Sequence, residues 1–331
     1  MSAHRLTSVA IACAVAALVL GVVVMASLAL GSRQIAPNIV WALVHGGTSQ
    51  DARVVLSLRV PRTIAALIIG GALGLAGSIM QAMTRNPLAD PGILGVNAGA
   101  AFAVVSATAV MGVSTRAVTL GAALIGAGVA SALVFALSGR GARASRARLA
   151  LAGIAVSAAL ASLTSAILTA NQFAFNEFRY WASGSFEGIG VDSLVLASVV
   201  IGGGVVLGAL LTSALGILTL GDEVAVGLGV RVRLVRGLAT LAVTALAGGA
   251  TALGGPLTFV GLAVPLLVRR VVGARHGLIA LWSVIVGAAW VCVADVASRL
   301  VLAPQEVPVG VIVALIGAPF FIATARGRGM S

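Results

Sequence analysis

The chain has 331 residues, of which 60% are hydrophobic and only 9% are charged, and its formal net charge is +12. A soluble domain carries about 25% charged residues, so most of the surface of this chain does not face water. All 21 basic residues are arginine. Because the chain has no lysine, it has no P-loop, whose lysine contacts the phosphates of a nucleotide, and ATP hydrolysis by that route is excluded.

Apolar runs recur along the whole chain, and several exceed the roughly 20 residues that a helix needs to cross the hydrocarbon core of a membrane. The runs are continuous and about twice as long as an alternating barrel strand, so they predict helices. The sequence therefore predicts an all-α polytopic membrane protein with a single transmembrane domain over 1–331. About ten spans are predicted, at 8–30, 62–83, 92–112, 117–138, 149–170, 192–213, 236–254, 257–269, 278–298 and 308–325.

The charged residues assign an orientation to these spans. With the N-terminus inside, 14 arginines and three acidic residues fall on the inner side, against seven arginines and six acidic residues on the outer side. This asymmetry follows the positive-inside rule, so both termini of the multi-pass chain are predicted to be cytoplasmic. The excess of arginine then marks the inner face of a membrane protein, and no nucleic-acid partner is expected.

The predicted spans contain almost no ionisable groups. Ion-coupled carriers usually keep Asp, Glu, His or Arg at mid-membrane, and here only Asp295, near the outer end of its span, is a candidate. The sequence also has no nucleophile–base–acid grouping and no metal-ligand cluster. We therefore expect no enzymatic activity, no catalytic residue, no metal site and no cofactor in this chain. A pore or permease driven by a partner is favoured, and an ion-coupled secondary transporter of a small solute is the alternative.

The most specific motif runs from Arg59-Val-Pro-Arg-Thr63 through a glycine-rich span to Met80-Gln-Ala-Met-Thr-Arg-Asn-Pro-Leu-Ala-Asp-Pro-Gly-Ile-Leu-Gly95. Pro61 presets the start of a helix, and the glycines let neighbouring helices approach closely. Asn86-Pro87 and Asp90-Pro91-Gly92 then break the helix on the predicted cytoplasmic side. The motif predicts a span that turns tightly back into the membrane.

With this motif, the chain resembles the FecCD-type family, the permease subunits of ABC importers for ferric siderophores, haem and cobalamin. The resemblance covers nearly the whole chain. Further motifs follow in the same order: Leu149-Ala-Leu-Ala-Gly-Ile154, Trp181-Ala-Ser-Gly-Ser185, Leu220-Gly-Asp-Glu-Val-Ala-Val-Gly-Leu-Gly229, Gly254-Gly-Pro-Leu-Thr-Phe-Val-Gly-Leu-Ala-Val-Pro265, Ala294-Asp-Val-Ala-Ser-Arg299, Glu306-Val-Pro-Val-Gly310 and Gly317-Ala-Pro-Phe320.

The resemblance implies a type II ABC importer permease fold in the bacterial cytoplasmic membrane. The expected partners are a second permease subunit, identical or paralogous, two ATP-binding subunits that use ATP and Mg²⁺, an extracytoplasmic substrate-binding protein, and membrane lipid. The expected cargo is a metal chelate, with ferric siderophore ahead of cobalamin and haem.

By the same resemblance, three arginines predicted on the outer side, Arg59, Arg62 and Arg299, are expected to contact acidic residues of the substrate-binding protein. A guanidinium group suits this role because it can bond a carboxylate in bidentate fashion. For Arg59 and Arg62 the alternative is interfacial snorkelling at the end of a span.

The cytoplasmic loop at about 214–236 is expected to couple the permease to its ATPase. In the family the corresponding loop forms two short helices that sit in a groove of the ATP-binding subunit. The residues assigned to this role are Gly221, Asp222, Glu223, Ala225, Leu228 and Gly229. The alternative is an ordinary solvated loop between two helices.

Two cytoplasmic gates are also implied by the resemblance. Asn86 and Leu88 match the first gate, while Ser145, Arg146 and Ala147 lie where the second gate is found. Arg146 departs from the small polar pattern of that second gate. An arginine here fits a positive-inside anchor equally well.

Small residues recur at every fourth position in the fifth and tenth predicted spans, which places them on one helix face. They are Gly153, Ser157, Ala161 and Ser165 in the fifth span, and Gly310, Ala314 and Ala318 in the tenth. In the family these two helices line the translocation path between two permease subunits. The alternative is ordinary packing of small residues between helices.

Overall fold

The structure, a computed structural model, describes residues 3–31, 54–139 and 146–326, and within these ranges every regular element is helical. The predicted all-α class is thus confirmed for the described chain. The α-helices are α1 (Ala3–Ala29), α2 (Val60–Thr84), α3 (Val96–Met111), α4 (Arg116–Leu137), α5 (Arg146–Ala170), α6 (Gln172–Ala182), α7 (Val191–Leu218), α8 (Asp222–Gly227), α9 (Val232–Gly254), α10 (Val260–Val272), α11 (His276–Leu300) and α12 (Val309–Arg326).

Each predicted span coincides with a helix, displaced by a few residues at most ends. Six helical segments are long and apolar enough to cross a membrane: Val55–Thr84, Arg116–Leu137, Ala147–Ala170, Val191–Leu218, Val232–Gly254 and His276–Leu300. Three shorter apolar helices are Ala14–Ala29, Val96–Met111 and Val309–Ala323. The 13-residue α10 is shorter still. Length and composition therefore support six spans directly, and the number ten stays a prediction.

The central helix of the described chain is α2, which packs against α7, α9, α10 and α11. A π-helical turn at Val55–Arg59 leads into it, and Pro61 lies in its first turn, where a missing N–H costs nothing. Arg85 ends it in the left-handed conformation, with φ of 50°. Of its most apolar 18-residue stretch, 83% of the residues are buried, so α2 faces protein rather than lipid on most sides.

Glycines bring the α2 backbone into contact with its neighbours. A Cβ at Gly70 would lie 2.1 Å from the carbonyl oxygen of Gly287 in α11, and a Cβ at Gly77 would lie 1.8 Å from that of Gly261 in α10. Real Cβ atoms do not approach backbone so closely, and the neighbours are backbone atoms that cannot turn away. The glycine-rich motif is therefore a packing requirement of α2.

Gly70→Ala is expected to destabilise the fold by about 1–3 kcal/mol, the usual range for an overpacked contact. The matched control is Gly202→Ala in α7, where a Cβ would meet nothing within 4 Å. That change should be neutral or stabilise by up to about 1 kcal/mol, because alanine favours an open helix position over glycine. Thermal unfolding in detergent measures both variants, and equal midpoints would contradict the packing assignment.

Two short helices lie between predicted spans. α6 occupies part of 171–191, and Asn171 caps it, since Oδ1 of Asn171 accepts a hydrogen bond from the N–H of Ala174 over 2.9 Å. α8 is the only short helix between α7 and α9, all of which are described. The loop at 214–236 thus holds one short helix where the family resemblance implies two, because α7 continues to Leu218 and α9 begins at Val232.

Candidate functional site

The 220–229 segment, which joins α7 to α9, presents apolar side chains away from the rest of the chain. Four of them are between 46% and 67% exposed: Leu220, Val224, Val226 and Leu228. Ala225 faces the other way and is fully buried, and its carbonyl oxygen accepts a hydrogen bond from the N–H of Val230 over 2.9 Å. The segment lies outside the predicted spans, where an exposed group of apolar side chains marks an interaction surface.

Two contacts hold this segment in place. Nη2 of Arg236 donates to both carboxylate oxygens of Asp222, at 3.0 and 2.8 Å. Gly221 has φ of +128°, and a Cβ there would lie 3.1 Å from Nη1 of Arg85. Glycine suits this backbone conformation, which other residues rarely adopt. The segment therefore lies against the residue that ends α2.

The remaining predicted residues of the segment are at its surface. The side chain of Glu223 is exposed in the first turn of α8. Gly229 has φ of +81°, and a Cβ there would meet nothing within 4 Å. A side chain at this position would therefore strain the backbone mildly and project outward, beside the exposed apolar group.

The turn at 85–95 carries the chain from α2 into α3. Oδ1 of Asn86 accepts a hydrogen bond from the N–H of Leu88 over 3.0 Å, and Oδ1 of Asp90 accepts one from the N–H of Gly92 over 2.7 Å. Burial raises the pKa of the Asp90 carboxyl above its ordinary value, and the Gly92 hydrogen bond opposes this effect. These two local bonds hold the breaks that the sequence predicts in front of the prolines.

A cavity of about 200 Å³ lies between this turn and the start of α5. Its lining residues are Thr84, Asn86, Ala89, Ile93, Ala147, Leu149 and Ala150. Asn86 and Ala147, one from each predicted gate, therefore face a common space. Leu88 is not part of this lining and is 38% exposed. Arg146 is the first residue of α5, and Ser145 lies outside the described residues.

The volume of this cavity limits its use. Pockets that bury a drug-sized ligand measure about 300–1,000 Å³, which exceeds the roughly 200 Å³ available here. The cavity that Asn86 and Ala147 share is therefore too small to hold a bulky solute. Any route for such a solute must use space outside this cavity.

The predicted path residues divide into packed and open positions. A Cβ at Gly153 would lie 1.8 Å from the carbonyl oxygen of Ile93, and one at Gly310 would lie 2.5 Å from that of Ser183. These two glycines serve close packing inside the chain. The other predicted path residues are at least partly exposed to the surface: Ala161 and Ser165 are exposed, and Ser157, Ala314 and Ala318 are half-buried.

Large apolar side chains share the open surface of these two helices. On α5, Leu151, Ile154 and Leu163 are between 52% and 65% exposed. In the most apolar stretch of α5 only 17% of the residues are buried, against 83% for α2. On α12, Val311 and Leu315 are 44% and 65% exposed. The two helices thus offer apolar surface that the described chain does not cover.

At the opposite end of the molecule, two arginines bind the last turn of α1. Nη1 of Arg59 donates to the carbonyl oxygens of Leu28 and Ala29, at 2.7 and 2.9 Å. Nη1 of Arg299 donates to those of Ser27 and Leu30, at 2.9 and 3.0 Å. The last carbonyl groups of a helix have no partner within the helix, so the two arginines satisfy groups that lipid could not.

A second set of contacts joins α2, α11 and the loop that follows α11. Asp295, whose side chain is fully buried, lies 2.8 Å from Nε of Arg62 and 2.9 Å from Nη2 of Arg299. Nη1 of Arg62 also lies 2.7 Å from Oε2 of Glu306. We call Arg59, Arg62, Asp295, Arg299 and Glu306 the outer ion cluster. The charge of Asp295 is acceptable in an apolar environment because two guanidinium groups compensate it.

Comparison with known proteins assigns the chain to a family. Residues 18–326 match the sequence model of the FecCD transport family. The chain belongs to this family. It is 42% identical to the ferric enterobactin transport system permease protein FepD of Escherichia coli strain K12, over 306 residues that cover 91% of each chain. The FecCD resemblance predicted from the motifs is thereby confirmed.

Two further FecCD comparisons agree. The chain is 35% identical over 310 residues to the hemin transport system permease protein HmuU of Yersinia pestis, covering 91% of this chain and 92% of the relative. A solved structure of a metal-chelate type ABC transporter in an inward-facing conformation matches with a TM-score of 0.78 at 27% identity. That match covers 94% of this chain and 97% of the other.

In this FecCD chain the three arginines expected to dock a binding protein point into the protein. Arg59 and Arg299 are 7% and 3% exposed, and their guanidinium groups bind the end of α1. Arg62 has 11% of its side chain exposed and binds two carboxylates of its own chain. Snorkelling, the alternative for Arg59 and Arg62, does not describe these two residues, because their guanidinium groups bind groups of their own chain. The docking role of the three arginines stays a prediction.

Sequence reasoning missed the partners of these arginines. Asp295 and Arg299 are four residues apart on α11, a spacing that places them on one helix face and could have suggested the pair. The contact of Arg62 with Asp295 spans 233 positions of sequence, and that with Glu306 spans 244. No local pattern in this sequence reveals contacts at that separation.

Asp295→Asn is expected to destabilise the protein by about 3–5 kcal/mol, since it leaves the charges of Arg62 and Arg299 without their buried partner. The control is Asp192→Asn, which removes an exposed carboxylate from the first turn of α7. Loss of a charge at a helix N-terminus costs about 0.3–1 kcal/mol. Thermal unfolding in detergent compares the stability of the two variants. Similar losses of stability would contradict the role of Asp295 as the buried partner of both arginines.

Proposed function

We propose that this chain is the membrane-spanning permease subunit of an ABC importer that brings a metal chelate into a bacterium, with ferric siderophore the first candidate. The observation that carries the proposal is the family match over 18–326. The relatives named for ferric enterobactin and hemin share more than nine tenths of its length. The chain makes no covalent change to its cargo and holds no cofactor, while ATP and Mg²⁺ are used by its ATP-binding partners.

The finer topology of this proposal has ten helices in the membrane and both termini in the cytoplasm. α10 is about 20 Å long at 1.5 Å per residue, which is short of the roughly 30 Å hydrocarbon core. Its contacts with α2, α11 and α12 support a place inside the protein, where a short helix needs no full span. The excess of arginine near the 85–95 turn and the 220–229 segment favours a cytoplasmic location for both.

The translocation path in this proposal lies between two permease subunits. The small cavity beside the 85–95 turn is too narrow for a chelate, and α5 and α12 leave apolar surface uncovered. Ala161 and Ser165 of α5, with Ala314 and Ala318 of α12, would give a path of small, neutral side chains. Such walls bind a bulky solute weakly, which favours its release on the far side.

The 220–229 segment is proposed to be the contact with the ATP-binding subunit. It offers exposed apolar side chains outside the predicted spans, and Gly221 lies against Arg85 at the start of the 85–95 turn. A displacement of the segment would therefore reach the residues around the cavity through a direct contact. This neighbourhood supports a link between ATP hydrolysis and the cytoplasmic gate.

The alternative, an ion-coupled carrier, finds less support in the geometry. A coupling group must change its protonation or ion occupancy during the cycle. Asp295, the candidate within a span, lies against two arginines at the end of α11 and is fully buried. This carboxylate is already bound by two guanidinium groups of its own chain, at 2.8 and 2.9 Å, which opposes a role as a site that exchanges a coupling ion.

Reconstitution separates the two functions. Proteoliposomes that contain this permease and the ATP-binding subunits of its own genome should take up ⁵⁵Fe-labelled ferric enterobactin, or hemin, when ATP and a loaded binding protein are present. Vanadate should stop this uptake, and an ionophore should leave it unchanged. Uptake that needs no ATP and collapses with the ionophore would support the ion-coupled carrier instead.

Gly229 offers a sharper test of the coupling segment. Gly229→Trp places a bulky side chain at an open position, so the fold should survive with a cost of about 1 kcal/mol for the left-handed backbone. ATP-dependent uptake should fall roughly tenfold, equal to about 1.4 kcal/mol of lost contact. Gly229→Asn is the control, because asparagine tolerates this backbone conformation. Normal uptake by the tryptophan variant would remove Gly229 from the contact.

A further inference from the structure

Arg62 binds two carboxylates that differ in their surroundings. Its Nε lies 2.8 Å from Oδ1 of Asp295, which is fully buried, and its Nη1 lies 2.7 Å from Oε2 of Glu306, whose side chain is 30% exposed. Arg299 also holds Asp295, at 2.9 Å. The guanidinium group of Arg62 therefore has a fixed inner partner and an outer partner at the surface.

The outer partner can leave without disturbing its loop. The N–H of Val307 donates to the carbonyl oxygen of Ser298 over 2.9 Å, and that of Gln305 donates to Leu302 over 3.0 Å. These bonds hold the backbone on both sides of Glu306, independently of its carboxylate. The Arg62–Glu306 pair is open to water on the side of Glu306, whose side chain is 30% exposed, and solvation weakens an ion pair. A buried carboxylate held by two arginines is not released easily.

The charge of the cluster also favours an exchange. Arg62 and Arg299 share the carboxylate of Asp295, so Glu306 supplies the second negative charge that balances these two arginines. When Glu306 moves away, these two arginines are left with one excess positive charge, which an incoming carboxylate can neutralise at the outer edge of Arg62. A guanidinium group presents paired N–H donors that match a carboxylate in this way.

From this arrangement we propose that Glu306 occupies the position on Arg62 that a carboxylate of the substrate-binding protein takes during docking. The permease thus carries an internal competitor for its own partner, and docking exchanges one carboxylate for another on Arg62. This inference rests on the proposed function, because it needs a binding protein on the outer face.

The test uses the complete transporter with its ATP-binding subunits in lipid nanodiscs. The probe is the purified, chelate-loaded binding protein of the same genome that the wild-type transporter retains, and its Kd is measured by biolayer interferometry. Glu306→Gln should lower the Kd about two- to fivefold, the range for loss of an exposed competing ion pair. Glu187→Gln, an exposed acidic residue in the α6–α7 connection on the same face, controls for a general change of charge.

A variant that lacks Arg62 distinguishes competition by Glu306 from a structural role of its carboxylate. In Arg62→Gln, the substitution Glu306→Gln should give no further gain, because the contested guanidinium group is absent. An unchanged or higher Kd for Glu306→Gln, an equal gain from Glu187→Gln, or a gain that persists with Arg62→Gln would each overturn the inference. So would failure of both Glu306→Gln and Glu306→Ala to fold, since the carboxylate would then be a structural tie.

The proposed function fails in a distinguishable way. If the wild-type transporter retains no binding protein of its genome, with or without chelate, the docking role is wrong and the inference falls with it. If the wild type docks and the Glu306 variants do not differ from it, only the inference fails.

Discussion

Gly70, Gly74 and Gly77 let the backbone of α2 touch the backbones of α10 and α11, and these contacts fix where both ends of α2 lie. Its first turn carries Arg62 of the outer ion cluster. Its last residues lead to Arg85, which lies against the 220–229 segment. One 25-residue helix therefore joins the two surfaces proposed for partner binding. Closely packed interiors transmit displacement rather than absorb it, so α2 is a direct physical connection between these two surfaces.

The outer ion cluster shows how a chain with 9% charged residues places its charges. Arg59 and Arg299 satisfy carbonyl groups at the end of α1, and Asp295 compensates Arg62 and Arg299. A resemblance of sequence assigns these arginines to a partner, because it compares residue types and not their surroundings. In the structure Arg59 and Arg299 are buried, and the part of the cluster that reaches the surface is the edge shared by Arg62 and Glu306.

The sequence predicts helix positions well where hydropathy alone decides them. The span predicted at 117–138 is found at Arg116–Leu137, and 62–83 is found within Val60–Thr84. α6 escapes prediction because its aromatic and polar residues give no apolar run, and its start depends on a cap by Asn171. At the candidate site, the exposure of the 220–229 segment follows from its sequence. The contact of Gly153 with Ile93 does not, because a small residue looks the same whether it lines a path or packs against a turn.

The side chains of the proposed path bear on the step at which the proposed importer would select its chelate. The helix faces proposed to line the path offer alanine and serine, which carry no charge and few donors, so they cannot distinguish one chelate from another by specific contacts. Relatives named for ferric enterobactin and for hemin share this chain's length at 42% and 35% identity. Under the proposed function, a common fold that serves different cargo leaves the selection of cargo to a step before translocation, in the binding protein. We infer that docking is then the step at which the transporter distinguishes partners, and the electrostatics of the outer face set its stringency.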